Sequence, residues 1–368
     1  MVFLYSIDSA YVAWGHLLSA NCGFDSRWEQ LFLAAMMKKV IAAFFVFSHN
    51  RNRWGIQKEE GQMAGIVLEK IIEMAVILLC GVLAYKTGLI DKASTKSFSN
   101  VLLMLVSPLL VFQSYQMDFE PRLFYGLLQT LFVSFVTFLV CIILAEIFMK
   151  GDPARQQIEK MTAIYSNCGF IGIPLINGIL GSEGVFYMTA YVTVFNVLFW
   201  THGVWLMGDR GRLRDVWKNL FTPTIVAVVF GLIFFIFQIR LPTPLSEPVR
   251  MIGSMNTPLA MIIAGANLAQ GDVRKSLKNI RLYWISFLKL VLSPLIGLGI
   301  LFFMRVDFTV AFTVFIAMAC PAGAMTIMFA ERYGKDVFYA TEGFMITTVL
   351  SAATIPLLTP LALLILKA

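Results

Sequence analysis

Ser166-Asn167-Cys168-Gly169-Phe170-Ile171-Gly172-Ile173-Pro174 and Cys320-Pro321-Ala322-Gly323-Ala324 place polar and helix-breaking residues inside runs that are otherwise apolar. Glycine loosens a helical backbone, and proline removes a donor and clashes with the preceding turn. In hydrocarbon such a break persists only where protein or a water-filled cavity covers the freed backbone groups. The second half of a broken helix then begins with free N–H groups and about half a positive charge from the macrodipole. That is chemistry for holding an anion. Pro174 and Pro321 suit the first position of those second half-helices, where a missing donor does no harm. Asn167 can donate to the same anion with Ser166 assisting, or it can simply satisfy the broken backbone. Gly172, Ala322 and Gly323 belong to the same two breaks and are counted with the candidate substrate-binding residues.

Outside the breaks, Lys289 lies well inside an apolar run, where a lysine is costly and faces a partner or a cavity. It can supply the countercharge for an organic anion, pair with Glu342, or snorkel to the interface on its long stem. Glu342 is the candidate coupling group, since burial moves a carboxylate toward the working pH range; a place at the membrane rim is its alternative. Gln113 and Ser114 follow Pro108 at bilayer depth and are further candidate substrate contacts, although hydrogen bonding between helices is the default for such residues. If both breaks line an aqueous cavity, a small thiol reagent reaches Cys168 and Cys320 and inhibits.

The elements that must position these residues are membrane spans. The chain has 368 residues, 58% hydrophobic and 14% charged, which is too apolar for an ordinary soluble globule. Ten apolar segments run roughly over 65–85, 97–115, 122–149, 159–180, 185–207, 221–239, 250–270, 282–304, 308–330 and 337–366. Each approaches the ~20 residues needed to cross a bilayer. Alternate loops carry sixteen basic residues against five on the other side, which orients both termini outward across the plasma membrane. The net charge of +7 is spread among loops, so orientation accounts for it and nucleic acid is not an expected partner. Five cysteines without a CxxC pair form neither a disulfide framework nor a zinc site, and no cofactor is indicated. Residues 1–62 do not match the rest, and they read as a non-native start or a disordered extension. Lys58-Glu59-Glu60-Gly61 can be encoded by a purine-rich string like a ribosome-binding site, which would place the true start at Met63.

The halves repeat. Val185-Phe186-Tyr187-Met188-Thr189 answers Val337-Phe338-Tyr339-Ala340-Thr341, and Ser107-Pro108-Leu109 answers Thr257-Pro258-Leu259. The two breaks fall in the matching fourth and ninth segments. An odd number of spans per repeat turns the second copy over, so 63–208 and 221–368 form an inverted repeat joined by a short basic linker, 209–220.

Ser166-Asn167 with Gly172-Ile173-Pro174-Leu175, and Cys320-Pro321-Ala322-Gly323 with Phe329-Ala330-Glu331-Arg332-Tyr333, resemble the two crossover motifs of the auxin efflux carrier family. That family includes plant auxin carriers and bacterial malonate and malate permeases. The short linker makes the bacterial branch the closer likeness. The resemblance implies an all-α membrane protein of ten helices in two inverted five-helix repeats, with helices four and nine broken and crossing. The same arrangement occurs in sodium–proton antiporters and bile-acid symporters. It implies a homodimer, an elevator-type alternating-access cycle, a scaffold of segments 1, 2, 6 and 7, and a substrate-ligand role for Asn167.

The expected function is therefore a permease for a small mono- or dicarboxylate, with H⁺ or Na⁺ as candidate coupling ions. The alternatives are a cation–proton or sodium-coupled transporter of the related fold, or a membrane receptor. Antiporters of that kind need ionisable aspartates at the crossing, and neither break contains an acid. An intramembrane hydrolase is not expected, because His202 is the only histidine after Met63 and has no acid partner in the pattern.

Overall fold

The computed structural model describes residues 58–207, 223–271 and 279–367. Most of the expected N-terminal extension (1–62) and the linker 209–220 lie outside the described residues. Within them the chain is helical: α1 Lys58–Lys86, α2 Lys92–Ser114, α3 Pro121–Phe148, α4 Pro153–Ile164, α5 Cys168–Met207, α6 Pro223–Ile236, α7 Thr243–Ser254, α8 Asn256–Ala269, α9 Ile280–Phe303, α10 Phe308–Ala319, α11 Met325–Arg332 and α12 Val337–Lys367. Five of these, α2, α3, α5, α9 and α12, are long and apolar enough to cross a membrane, and α6 and α10 are shorter apolar helices. Side-chain caps start several of them. Asp91 accepts from the Ser94 amide before α2, Asn279 from Arg281 before α9, and Asp307 from Thr309 before α10.

Three prolines in apolar helices are absorbed by one device. The turns Leu102–Val106, Cys168–Gly172 and Leu288–Leu292 are π-helical. In each, the last amide before the proline skips back five residues: Ser107 to Leu102, Ile173 to Cys168, Ser293 to Leu288. Pro108, Pro174 and Pro294 follow immediately. The widened turn removes the clash that a proline ring makes with the carbonyl four residues back. Helix α5 has a different break. Gly181 takes φ 62° and ψ −147°, so the piece that starts at Cys168 turns sharply before Val185.

Two packed groups position the site. Helix α1 lies against α8, and α2 against α6 and α7. A Cβ on Gly265 would sit 2.0 Å from the Leu78 carbonyl oxygen, and one on Gly81 2.3 Å from that of Ile262, so glycine lets the α1 and α8 backbones touch. Where α2 and α8 approach, the Ser107 hydroxyl donates to Asn256 Oδ1 at 2.8 Å, beside both copies of the repeated proline motif. The second group contains α3, α4, α5 and α9–α12, with α10 packed on α5 and α12. The groups meet where Val82 and Leu268 pack with Phe344, Met345, Ala324 and Ile327.

Candidate functional site

Both expected breaks are present, and they cross. After α4 ends at Ile164, Tyr165-Ser166-Asn167 runs beside Cys320-Pro321-Ala322-Gly323, which follows α10. Ser166 and Ala322 form an antiparallel bridge. Its hydrogen bonds run from the Asn167 amide to the Pro321 carbonyl at 2.7 Å and from the Gly323 amide to the Tyr165 carbonyl at 2.9 Å. Thr347 of α12 accepts from the Ala322 amide at 3.2 Å. Each broken helix thus satisfies part of the other's open backbone, as the absence of water in hydrocarbon requires.

The amides left over are those at the starts of the second halves. Among the described residues, Cys168, Gly169 and Phe170 make no backbone hydrogen bond to an acceptor, nor do Ala324 and Met325. Gly169 borders open space: a Cβ there would meet nothing within 4 Å. Asn167 is buried, yet its side chain does not cap the turn that follows and hydrogen-bonds to no described residue. The Asn167 that would merely satisfy the broken backbone is therefore not what the side chain does; only its main chain serves that purpose.

The prolines differ from expectation. Pro174 lies in the first turn of the α-helical stretch Ile173–Leu198, but the π-turn Cys168–Gly172 already begins that half-helix, and Pro321 precedes the half-helix that begins at Met325. Pro174 is carried by the π-turn, and Pro321 keeps the crossing strand extended while its carbonyl accepts from Asn167. Gly172 fits closely between Cys320 and Met188, where a Cβ would lie 3.4 Å from the Cys320 sulfur.

Lys289 is 1% exposed, so it does not snorkel. Its ammonium donates to the Ser166 hydroxyl at 2.5 Å and to the Ile164 carbonyl at 3.4 Å, the last carbonyl of α4. It does not pair with Glu342, which sits partly exposed near the start of α12 with no hydrogen bond or ion pair to a described residue. Gln113 and Ser114 do not join the crossing by any hydrogen bond: the Ser114 hydroxyl donates to Val111 within its own helix, and Gln113 Oε1 is buried without a partner. Cys168 and Cys320 are both fully buried, so in this conformation neither thiol opens onto water.

The sequence reading missed two polar clusters. Glu159 on α4 accepts from Arg281 of α9, Nε at 3.0 Å and Nη2 at 2.6 Å, and from the Tyr339 hydroxyl of α12 at 2.8 Å. Arg155 stacks over Tyr339 at 4.7 Å and approaches Asp336 at 3.6 Å. At the opposite helix ends, Arg122 of α3 contacts Glu183 of α5 at 2.8 Å and Asp307 at 3.9 Å, with Tyr187 close by. Tyr187 and Tyr339 are the central residues of the repeated Val-Phe-Tyr strings, which is the signal that could have located both clusters.

The chain matches the family described as membrane transport protein over residues 66–359. An uncharacterized transporter of Methanothermobacter thermautotrophicus is 26% identical over 299 residues, covering 78% of this chain and 96% of that protein. The uncharacterized transporter MJ1031 of Methanocaldococcus jannaschii is 22% identical over 308 residues, covering 79% and 97%. The apolar helices, the paired breaks and these relatives agree, and the chain belongs to the membrane transport family of the auxin efflux carriers.

Proposed function

We propose that the protein carries a small organic anion, a short carboxylate, across the plasma membrane by elevator-type alternating access. One observation carries this reading: the Asn167 side chain has no hydrogen-bond partner among the described residues, and it sits at a crossing where the first amides of two half-helices make no backbone–backbone hydrogen bond. Unpaired donors in a buried setting cost free energy. Together with two helix N-termini they suit a carboxylate, which offers several acceptor sites and one negative charge. Ser166, Gly172, Pro174, Pro321, Ala322 and Gly323 shape that pocket, and Lys289 adds positive charge behind Ser166. We place Gln113 and Ser114 outside it.

The polar clusters support an inverted repeat of two five-helix units. Arg122, Glu183, Tyr187 and Asp307 at one set of helix ends are answered by Arg281, Glu159, Tyr339 and Asp336 at the other. Each cluster also takes a residue from the opposite repeat, which would hold α3–α5 and α9–α12 as one body while α1, α2 and α6–α8 stay fixed. A homodimer joined through that fixed scaffold, with outward termini, completes the reading. The test is a thermal-shift panel of short carboxylates on the purified protein, followed by uptake of those that bind into proteoliposomes. A bound carboxylate should raise the unfolding temperature of the wild type and not of Asn167→Ala. If no carboxylate is bound or taken up, the anion reading is wrong.

A further inference from the structure

Three Asp, Glu, Lys or Arg side chains are buried among the described residues: Glu159, Lys160 and Lys289. Glu159 is neutralised by Arg281 at 2.6 Å, and Lys160 by Glu146 at 2.6 Å. Lys289 has no such partner. Its hydrogen bonds go to a hydroxyl and a carbonyl, and its electrostatic neighbours are the thiols of Cys141 on α3, Cys168 on α5 and Cys320 after α10. Tyr191 of α5 faces Ser166 and the same three thiols. No carboxylate from α4, α10 or α12, which pack against its turn, is among these neighbours. A lone buried ammonium in a membrane protein is costly, and folds usually answer it with an opposite charge.

Resting on the anion-carrier reading, we propose that the answering charge is the substrate's, and that the site is matched to an anion bearing one negative charge. A monocarboxylate fits, as does a dicarboxylate in its singly protonated form. The loaded body would then be neutral in its interior as it moves. A dianion would replace one uncompensated charge with another of opposite sign. Lys289 need not touch the ligand for this, because the compensation is Coulombic and Ser166, which it holds at 2.5 Å, adjoins Asn167.

The test uses the full chain in proteoliposomes, with acetate, glycolate, lactate, malonate and malate as labelled probes. Substrate-for-substrate exchange is measured at zero potential and at roughly 100 mV, and over the pH range in which malonate loses its second proton. A single net charge crossing that whole potential would bias exchange roughly 50-fold. Monocarboxylate exchange should instead vary less than about twofold between the two potentials. Malonate exchange should fall as the dianion replaces the monoanion. Lys289→Gln should make exchange of a monoanion voltage-dependent, and Lys289→Arg should restore the wild-type behaviour. If Lys289→Gln does not fold, the wild-type measurements decide alone. Voltage-driven exchange by the wild type, or a preference for fully ionised malonate or malate, overturns the charge match while leaving the carrier reading intact. Failure of all five probes to exchange overturns both.

Discussion

Glu159→Ala removes the carboxylate that joins α4 to α9 and α12, and its cost can be worked from the contacts. The Glu159 side chain is 5% exposed, whereas Arg281 is 33% exposed and keeps a second bond to the Lys150 carbonyl. Breaking a buried ion pair costs about 3–5 kcal/mol when the remaining charge is left dry. Water still reaches Arg281, so that part is discounted to roughly 2 kcal/mol. The Tyr339 hydroxyl loses its acceptor in a buried place, which adds roughly 1–2 kcal/mol. The sum is about 3–4 kcal/mol. On the scale of soluble proteins this lowers the unfolding temperature on the order of 5–10 °C. The mirrored contact supplies the control, since Arg122 is 56% and Glu183 31% exposed. Arg122→Ala should therefore cost no more than about 1 kcal/mol. Both variants would be unfolded thermally in the same detergent beside wild type, with Glu159→Gln included because it can still accept from Tyr339. Should Glu159→Ala lose no more than Arg122→Ala, burial is not what separates the two clusters, and the reasoning fails.

Other perturbations probe the remaining links. Gly265→Ala puts a methyl 2.0 Å from the Leu78 carbonyl oxygen and forces α1 away from α8, so a loss of about 3 kcal/mol is expected in detergent unfolding; a change within 0.5 kcal/mol would mean the helices are not in backbone contact. Ser166→Ala deprives Lys289 of its 2.5 Å partner and should cost about 1.5–3 kcal/mol, the range for a hydrogen bond to a charged group, with Ser166→Thr close to wild type. Asn167→Ala removes a side chain without a protein partner, so stability should move by less than about 1 kcal/mol while stabilisation by a bound carboxylate disappears. A large loss of stability without ligand would show that Asn167 has a structural role instead.

The breaks were legible in the sequence because glycine and proline act locally, and their position within apolar runs fixes their depth. What joins them was not. Ser166 and Lys289 are 123 residues apart, and no periodicity within either helix points from one to the other. The misplaced prolines have a local cause that composition does not reveal. A π-turn lets Pro174 sit inside a half-helix, so proline marks a region of weakness and not the first residue after the break. Glu159 was passed over for a related reason: it lies at the polar start of α4, where hydropathy places it at the membrane edge, and only Arg281 and Tyr339, more than a hundred positions away, make it interior.

The repeated Val-Phe-Tyr strings connect these levels. As sequence they mark only an internal duplication. In the fold each brings a tyrosine to an arginine and a carboxylate at the foot of a three-helix group, and each group borrows a residue from the other repeat. In the inverted repeat proposed above, equivalent side chains would lie at opposite membrane faces. Both tyrosines are buried, but the ion pair beside Tyr187 is the more exposed and the one beside Tyr339 the more buried. The tyrosine, arginine and carboxylate recur in both clusters, while solvent access decides how much each cluster contributes. Lys289 stands apart from this pattern, because the third segment holds no charged residue between Arg122 and Glu146. This buried lysine thus lies on the side of Ser166, which is where a net positive charge has to sit if the guest is an anion.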